Sequence, residues 1–240
     1  MNQMNLNLNN HKIWAIIPAA GSGRRFSQSD LKQYQTIQHK TVIEHTVTRL
    51  TELPLSGYVL AISPSDQYAA TLNFPHQDKL HFCHGGAERV DSVLNGLRYL
   101  QQIAAPDDWV LVHDAARPCV AREQLEDLVH HSIEHDSPAI LATPVRDTLK
   151  RVLQSQQIAE TVDRSTLWQA QTPQLSKIGL LTQAIEQALQ NGITITDEAS
   201  ALEYAGFRVD VVPGRADNIK ITYPEDLELA RMIMSAQGSI

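Results

Sequence analysis

The chain has 240 residues, of which 42% are hydrophobic and 20% charged, and its formal net charge is −7 at pH 7. This length and composition fit one large globular domain, and the acidic balance argues against a nucleic-acid-binding protein, which favours a basic surface. The longest apolar runs fall well short of the ~18 residues of a membrane-spanning helix. Neither nucleic acid nor a membrane is therefore an expected partner.

Residues 1–11 are polar and rich in asparagine, without the apolar core of a secretion signal, and we expect a disordered or frayed tail. The two cysteines, Cys83 and Cys119, fit neither a disulfide framework nor a zinc site. We therefore expect reduced thiols and a cytoplasmic location. None of the ten histidines has metal-ligand spacing, so no histidine-bound metal is expected.

The first predicted strand, 12–18, leads directly into a loop of very small residues at 19–23. A backbone with so little side-chain bulk can press against a ligand and offer its N–H groups to anionic oxygens. Positive charge follows at Arg24, Arg25 and Lys32. The segment therefore predicts a site for a nucleoside triphosphate.

Two familiar glycine loops do not match this segment. A P-loop requires Lys followed by Ser or Thr after its glycines, and that pair is missing here. A dinucleotide-binding loop requires a small residue where Phe26 stands, and an acidic residue that closes the second strand; Glu44 lies near the expected distance but within a helical pattern. An ordinary strand-to-helix turn stays an alternative, which the clustered cations disfavour.

Strands and helices alternate through the first 145 residues. Amphipathic helical faces are predicted within 42–53, 90–100 and 125–133, and further strands at 57–63, 80–84, 109–113 and 139–143. This alternation implies an α/β fold of Rossmann-like type with a mostly parallel central sheet. Ligands of such sheets bind beyond the carboxyl ends of the strands. The loops at 19–23, 85–86 and 113–114 are therefore expected to meet at one edge.

The pattern changes at 145–165, where apolar and charged residues alternate without a helical face. This predicts a two-stranded arm that protrudes from the sheet. Because an isolated ribbon is marginal in water, we expect it to pack on a second copy of the chain. Helices follow at 177–190 and 197–205, a strand at 208–212, and a last helix from Pro224 to about residue 235.

Two polar segments carry candidate chemistry. Asp114 ends a buried strand, where a carboxylate is suited to Mg²⁺ beside bound phosphates; capping of the next helix or pairing with Arg117 are the alternatives. Gly86 lets the backbone approach a flat ring, and Ser92 can bond to a base edge; a plain helix start explains the same residues. Thr196 precedes a helix and equally fits a capping role.

Seven segments together resemble the 2-C-methyl-D-erythritol 4-phosphate cytidylyltransferase family of the non-mevalonate isoprenoid pathway. They occur in order from about residue 12 to the last helix and so cover nearly the whole chain. The first segment alone indicates only the wider nucleotidyltransferase group, whereas the set is specific. The segments are 18–25, 32–34, 85–92, 112–118, 144–148, 196–203 and 214–220.

The resemblance implies a nucleotidyltransferase domain over 12–240 that transfers a cytidylyl group from CTP to 2-C-methyl-D-erythritol 4-phosphate, with release of pyrophosphate and with Mg²⁺ as cofactor. Arg25 and Lys32 would stabilise charge on the α-phosphate, and Arg164 and Lys220 would orient the attacking phosphate. The arm at 145–165 would form a homodimer and carry Arg164 into the partner's site.

The resemblance also implies three sets of binding residues. The nucleotide would contact Pro18, Ala19, Ala20, Gly21, Gly23, Gly86, Ser92, Asp114 and Ala115. The alcohol phosphate would contact Asp114, Arg117, Thr148, Arg164, Thr172, Thr196 and Lys220. The metal would be held by Asp114 or Asp217.

One residue departs from the family pattern, and three rival functions stay open. Ala87 stands where some members carry Asp, which leaves cytosine selection to the backbone and Ser92. A ribitol 5-phosphate cytidylyltransferase would keep the fold and change the alcohol. A non-catalytic nucleotide-binding regulatory module would show no turnover. An NAD-dependent reductase is disfavoured by Arg25 and Phe26 in the loop.

Overall fold

The computed structural model describes residues 10–21, 26 and 31–240. Most of the predicted tail, and Gly23, Arg24 and Arg25 of the predicted nucleotide loop, lie outside the described residues. The strands, numbered along the chain, are β1 Ile13–Pro18, β2 Thr36–Ile37, β3 Lys40–Thr41, β4 Gly57–Ile62, β5 Leu80–His84, β6 Trp109–Val112, β7 Ala139–Pro144, β8 Leu149–Val152, β9 Ile158–Val162, β10 Trp168–Lys177 and β11 Asp210–Pro213.

The helices, numbered in the same way, are α1 Val42–Leu50, α2 Arg89–Leu100, α3 Arg122–His135, α4 Ile178–Gln190, α5 Glu198–Tyr204 and α6 Asp226–Ala236. Each predicted helix is present, with ends displaced by a few residues. The longest helix of the described part of the chain, α3, has 14 residues. None of the helices there combines the length and the hydropathy of a membrane span.

Within the described residues, a seven-stranded sheet has the order β11-β7-β10-β6-β1-β4-β5. The pairs β6–β1, β1–β4, β4–β5 and β7–β11 are parallel, which confirms the predicted α/β class and the mostly parallel sheet. β1 lies inside the sheet, and its alternate residues enter two cores. Ile13, Ala15 and Ile17 pack on one face, and Trp14 and Ile16 on the other.

Strand β10 was not predicted, and it runs antiparallel to both neighbours, β6 and β7. The hydrophobic pattern of the sequence does not reveal this strand, because its buried residues 171–176 are mostly polar. Gln174 shows how such a strand is satisfied inside the protein: its side-chain amide donates to Asp197 Oδ2 at 2.9 Å and accepts from the backbone N–H of Ala199 at 2.9 Å. Buried polar groups of this kind are stable only when so paired.

The predicted arm is a two-stranded antiparallel sheet formed by β8 and β9. Its apolar side chains stay exposed: Val152 is 53%, Leu153 53% and Ile158 63% exposed. Trp168, where the chain returns to the main sheet, is 45% exposed. A hairpin with this much uncovered apolar surface cannot gain the burial that stabilises a ribbon in water.

Candidate active site

A cavity of about 330 Å³ opens at the carboxyl ends of β1, β5 and β6. These ends meet at one edge because the strands are parallel, which confirms the expected meeting of the three loops. A turn at Lys32–Tyr34 and the loop before α6 complete the wall. The described residues that line the cavity are Pro18, Ala19, Ala20, Gly21, Lys32, Gln33, Gly86, Ala87, Glu88, Arg89, Ser92, Asp114, Ala115, Ala116, Lys220 and Thr222.

Hydrogen bonds hold the loop after β1 in place, and its close packing on the loop after β5 leaves little room for side chains. The N–H of Ala19 donates to the Ala61 carbonyl at 2.8 Å, and Gln33 Nε2 donates to the Ala19 carbonyl at 2.9 Å. A Cβ on Gly85 would lie 2.4 Å from Ala20 Cβ, so only glycine allows the loops after β1 and β5 to approach this closely. Two small-residue loops therefore face the cavity together.

Ser92, on the first turns of α2, shapes the second glycine loop. Its Oγ accepts from the Gly86 N–H at 3.0 Å and donates to the Glu88 carbonyl at 3.3 Å, and the residue is 2% exposed. Ser92 therefore belongs both to the start of α2 and to the cavity wall. Gly86 itself has no room for a side chain, since an added Cβ would lie 2.2 Å from Asp91 Cβ.

Asp114 is the centre of a charged cluster at the end of β6. Its Oδ1 accepts from Arg89 Nε at 2.8 Å, its Oδ2 lies 2.6 Å from Lys220 Nζ, and Arg117 Nε is 3.8 Å away. Burial alone would raise the pKa of Asp114, but Arg89, Lys220 and Arg117 outweigh it and hold that pKa well below its usual range. The carboxylate is therefore ionised, and both of its oxygens are engaged.

The pairing of Arg89 with Glu198 was missed by sequence reasoning. Arg89 Nη1 donates to Glu198 Oε1 at 2.6 Å and Nη2 to Oε2 at 3.1 Å, a bidentate contact that a lysine cannot reproduce. The two residues are 109 positions apart, and each is the first residue of a helix. The two motifs that contain them, at 85–92 and 196–203, were the available clue.

Beneath Asp114, the buried pair His113 and Thr172 supports the end of β6. His113 Nε2 lies 3.0 Å from the Arg117 carbonyl, and its Nδ1 lies 3.1 Å from Thr172 Oγ1. A carbonyl only accepts, so Nε2 carries the proton and Nδ1 accepts from the Thr172 hydroxyl. Thr172 Oγ1 in turn accepts from the Asp114 N–H at 3.1 Å.

Lys32 reaches the cavity from a short 3-10 turn, Lys32–Tyr34. Its Nζ donates to the Ile221 carbonyl at 3.0 Å, next to Lys220. The turn is fixed on both sides: Gln33 is 4% exposed and bonds to Ala19, and the Tyr34 hydroxyl donates to Asp66. Two lysines that are distant in sequence, Lys32 and Lys220, therefore line the same cavity.

Other predicted site residues lie away from the cavity wall. Thr148, Arg164 and Thr196 are exposed, the first two beside the arm strands. Thr172 is 5% exposed and its hydroxyl proton is committed to His113. Arg117 lies behind Asp114, where Nη1 donates to the Asn218 carbonyl at 2.6 Å.

Asp217, the alternative to Asp114 as predicted metal ligand, lies outside the cavity wall. Its carboxylate bonds to Arg215, with Nη2 to Oδ2 at 2.6 Å, and accepts from Gln237 Nε2 at 3.4 Å, outside the cavity wall. Lys220, three positions further along, does line the cavity, so neighbouring positions of this segment point to different sides. Among residues 10–21, 26 and 31–240, no group of three or more His, Cys, Asp or Glu side chains is arranged to hold a metal ion.

Comparison with known proteins gives a consistent result over nearly the whole chain. Residues 13–236 match the sequence model of the 2-C-methyl-D-erythritol 4-phosphate cytidylyltransferase family. The protein of that name from Acinetobacter baumannii is 66% identical over 227 residues, which are 95% of this chain and 95% of the relative. The one from Vibrio vulnificus is 47% identical over 93% of this chain and 94% of the relative.

Solved structures agree with these relatives. The structure of the 2-C-methyl-D-erythritol 4-phosphate cytidylyltransferase from Francisella tularensis is similar with a TM-score of 0.81 at 37% identity, over 92% of this chain and 99% of that one. The Thermus thermophilus structure gives a TM-score of 0.77 at 28% identity, over 93% and 99% of the two chains.

Proposed function

The chain belongs to the 2-C-methyl-D-erythritol 4-phosphate cytidylyltransferase family, and from this premise we propose how its cavity performs the reaction. The enzyme is a nucleotidyltransferase that transfers a cytidylyl group from CTP to 2-C-methyl-D-erythritol 4-phosphate in non-mevalonate isoprenoid biosynthesis. An oxygen of the alcohol phosphate attacks the α-phosphorus of CTP. The bond from that phosphorus to the bridging β-oxygen breaks, and pyrophosphate leaves.

The observation that carries the proposal is one cavity that combines small-residue loops with convergent cations. The loops that contain Gly21 and Gly86 line one part of the wall, and Lys32, Arg89 and Lys220 line another. Both reactants are polyanions, so catalysis depends on positioning and on neutralising charge, with little covalent work for the protein. The small-residue loops allow close positioning of the reactants, and the three cations neutralise charge.

We assign the nucleotide to the loops after β1 and β5. Pro18, Ala19, Ala20 and Gly21 leave room for the backbone to approach the triphosphate, and we assign the base to Gly86 and Ser92, which line the cavity after β5. Asp114 and Ala115 close this part of the wall. Gly23 belongs to the same assignment by resemblance alone.

We assign transition-state stabilisation to Lys32 together with Arg25. A fixed cation beside the α-phosphate stabilises the charge that develops there as pyrophosphate leaves, and loss of one such donor typically costs about 10²–10³ in turnover. Lys32 lines the cavity and is held by its buried turn. Arg25 carries its role by resemblance.

We assign the attacking phosphate to Lys220, with Arg164 reaching it from a second subunit. Lys220 lines the cavity, and Asp114 holds it at 2.6 Å. Arg164 is exposed at the end of the arm, away from the cavity of its own chain. A homodimer joined through the arm would bring the partner's Arg164 to the acceptor side. Thr148 and Thr196 belong to the same side by resemblance, and Arg117 and Thr172 support it from behind.

Nucleotidyltransferases of this family generally need a divalent cation, and we propose Mg²⁺. Neither predicted carboxylate offers a free oxygen to it, because Asp217 is turned to Arg215 and both oxygens of Asp114 are engaged by Arg89 and Lys220. Mg²⁺ is commonly bound through substrate phosphates and water with few protein ligands. A cytoplasmic location is proposed on the two free cysteines, Cys83 and Cys119.

The test is release of pyrophosphate by the purified protein with CTP, Mg²⁺ and 2-C-methyl-D-erythritol 4-phosphate. We expect turnover with this alcohol phosphate, slower release with ribitol 5-phosphate, and slower release with UTP in place of CTP. Faster release with ribitol 5-phosphate would reject the proposed acceptor. Unchanged turnover in Lys32→Ala would reject the catalytic assignment.

A further inference from the structure

Glu198 is a buried carboxylate that lies behind the active-site cavity and not in its wall. It is the first residue of α5, its side chain is 4% exposed, and it is outside the set of described residues that line the cavity. Both of its oxygens accept hydrogen bonds from one guanidinium, that of Arg89. Because an unpaired buried carboxylate is very costly, Arg89 is the group that allows Glu198 to be buried.

The third guanidinium nitrogen of Arg89, Nε, extends this set of ion pairs toward the cavity. Its Nε donates to Asp114 Oδ1 at 2.8 Å, while Asp114 Oδ2 lies 2.6 Å from Lys220 Nζ. The order Glu198, Arg89, Asp114, Lys220 alternates in charge and joins the starts of α5 and α2, the end of β6 and the loop before α6. We call these four residues the ionic relay.

The ionic relay ends on a group that lines the cavity. The side chain of Lys220 is 35% exposed and lines the cavity, whereas that of Asp114 is only 9% exposed. An ammonium has three N–H donors, and Asp114 takes one of them. The direction of the Asp114 carboxylate therefore sets the direction of the remaining Lys220 donors, and Arg89 fixes that carboxylate.

We infer that Glu198 is a positioning residue, which acts through Arg89 and Asp114 to hold the Lys220 ammonium against the attacking phosphate. The inference rests on the proposed function, since it takes Lys220 to bind the acceptor. Glu198, without touching a substrate, therefore controls use of the acceptor more strongly than use of CTP, because the ionic relay ends on Lys220.

The first experiment measures KM and kcat for each substrate in Glu198→Gln, which keeps the shape and removes the charge. We expect kcat/KM for 2-C-methyl-D-erythritol 4-phosphate to fall about 10- to 100-fold, because small misplacement of a positioning group has effects of this size. The KM for CTP should change less than about twofold. Arg89→Lys should behave like Glu198→Gln, since a lysine keeps the charge but cannot make three fixed contacts. Glu203→Gln, an exposed carboxylate of the same helix, is the matched control and should match the wild type.

The second experiment asks whether Glu198 acts through Lys220. If it does, Glu198→Gln made in a Lys220→Met background should lower the already reduced kcat/KM for the acceptor by less than about twofold. An equal loss in both backgrounds, or an equal rise in both KM values, would overturn the inference and indicate a merely structural role. Should Glu198→Gln fail to fold, Glu198→Asp is carried through the same cycle with the same criterion.

The wild type separates this inference from the proposed function. A wild-type protein without pyrophosphate release from CTP and 2-C-methyl-D-erythritol 4-phosphate would contradict the proposed function. A fully active wild type with an equally active Glu198→Gln variant would contradict the ionic relay alone.

Discussion

Thr172 Oγ1 lies 3.1 Å from His113 Nδ1, and the same oxygen accepts the Asp114 N–H at 3.1 Å. One buried hydroxyl thus joins β10 to the end of β6. The family resemblance assigns Thr172 to the alcohol phosphate. Because its proton is donated to a fully buried histidine, we propose that Thr172 supports the site and does not touch the substrate.

Thr172→Val should therefore lower stability before it changes substrate binding. Valine keeps the shape but leaves His113 Nδ1 and the Asp114 N–H without a partner, and each unsatisfied buried group costs about 1–3 kcal/mol. Urea unfolding measures the loss, and Thr172→Ser, which keeps the hydroxyl, is the control. Normal stability with a raised KM for the acceptor alone would show that Thr172 contacts substrate directly.

The pH dependence of stability should reflect His113. Burial lowers the pKa of His113 to about 4, whereas an unfolded histidine has a pKa of about 6.5. Between these values the unfolded state carries a proton that the native state does not. The free energy of unfolding should therefore fall as pH drops from about 6.5 to about 4, by up to about 3 kcal/mol, and this contribution should level off below.

Urea unfolding at intervals from pH 4 to 7.5 measures this slope in the wild type and in His113→Gln. The variant should show a shallower slope, with a remainder from His45, whose pKa burial also lowers. Equal slopes in the two proteins would mean that His113 titrates normally. Asp114 acts at lower pH. Its depressed pKa stabilises the native state at pH values above the unfolded pKa of about 3.9, and this stabilisation is lost as the pH falls further.

Gly85 and Gly21 should respond differently to the same added methyl group. In Gly85→Ala the new Cβ would lie 2.4 Å from Ala20 Cβ and 2.8 Å from Ser92 Oγ, and such overpacking typically costs about 1–3 kcal/mol. Among the described residues, none lies within 4 Å of a Cβ added at Gly21. Gly21→Ala should therefore keep wild-type stability in the absence of ligand and weaken CTP binding, because the methyl group enters the cavity.

Thermal unfolding without ligand and titration with CTP separate the two variants. Gly85→Ala should melt several degrees lower, and Gly21→Ala at the wild-type temperature with a higher Kd for CTP. If Gly21→Ala binds CTP as tightly as the wild type, the loop after β1 does not approach the nucleotide.

The sequence predicted the elements whose burial is visible as apolar pattern. The strand at 13–18 is a continuous apolar run and was found within one residue of its ends. Strand β10 escaped because Gln171, Gln174 and Ser176 are buried but polar, and the side chains of Gln171 and Gln174 bond to partners far away in sequence. Burial of a glutamine is decided by three-dimensional contacts that no local pattern contains.

In the site, too, the sequence predicted what depends on local pattern and missed what depends on three-dimensional contacts. Residues whose role depends on the end of a strand, such as Gly86 and Asp114, were placed correctly at the sheet edge. Side-chain direction could not be derived from position along the chain, so Asp114 and Asp217 stayed alternative metal ligands, whereas the structure shows that Asp217 contacts Arg215. The Arg89–Glu198 contact joins two helix starts across the fold, and each residue seen alone looked like an ordinary acid or base of a first turn.

The proposed homodimer predicts that each active site uses Arg164 of the partner chain. Arg164 is exposed beside the arm and lies outside the cavity wall of its own chain, whereas Lys32 lines that cavity. Arg164→Ala and Lys32→Ala should each be nearly inactive. When the two are unfolded together and refolded as a mixture, mixed dimers should contain one site with both an intact Lys32 and an Arg164 supplied by the partner. Random pairing puts about a quarter of all sites in this state, so roughly that fraction of wild-type pyrophosphate release should return.

Each variant refolded alone is the control and should stay inactive. Ile158→Asp in both chains tests the arm itself, because a charge on a side chain that is 63% exposed in one chain disturbs only a contact with a second chain. It should shift sedimentation toward the monomer and abolish the recovered activity, with helical content unchanged. If the mixture of Arg164→Ala and Lys32→Ala regains nothing while dimers form, Arg164 serves its own chain or none, and the shared site is rejected.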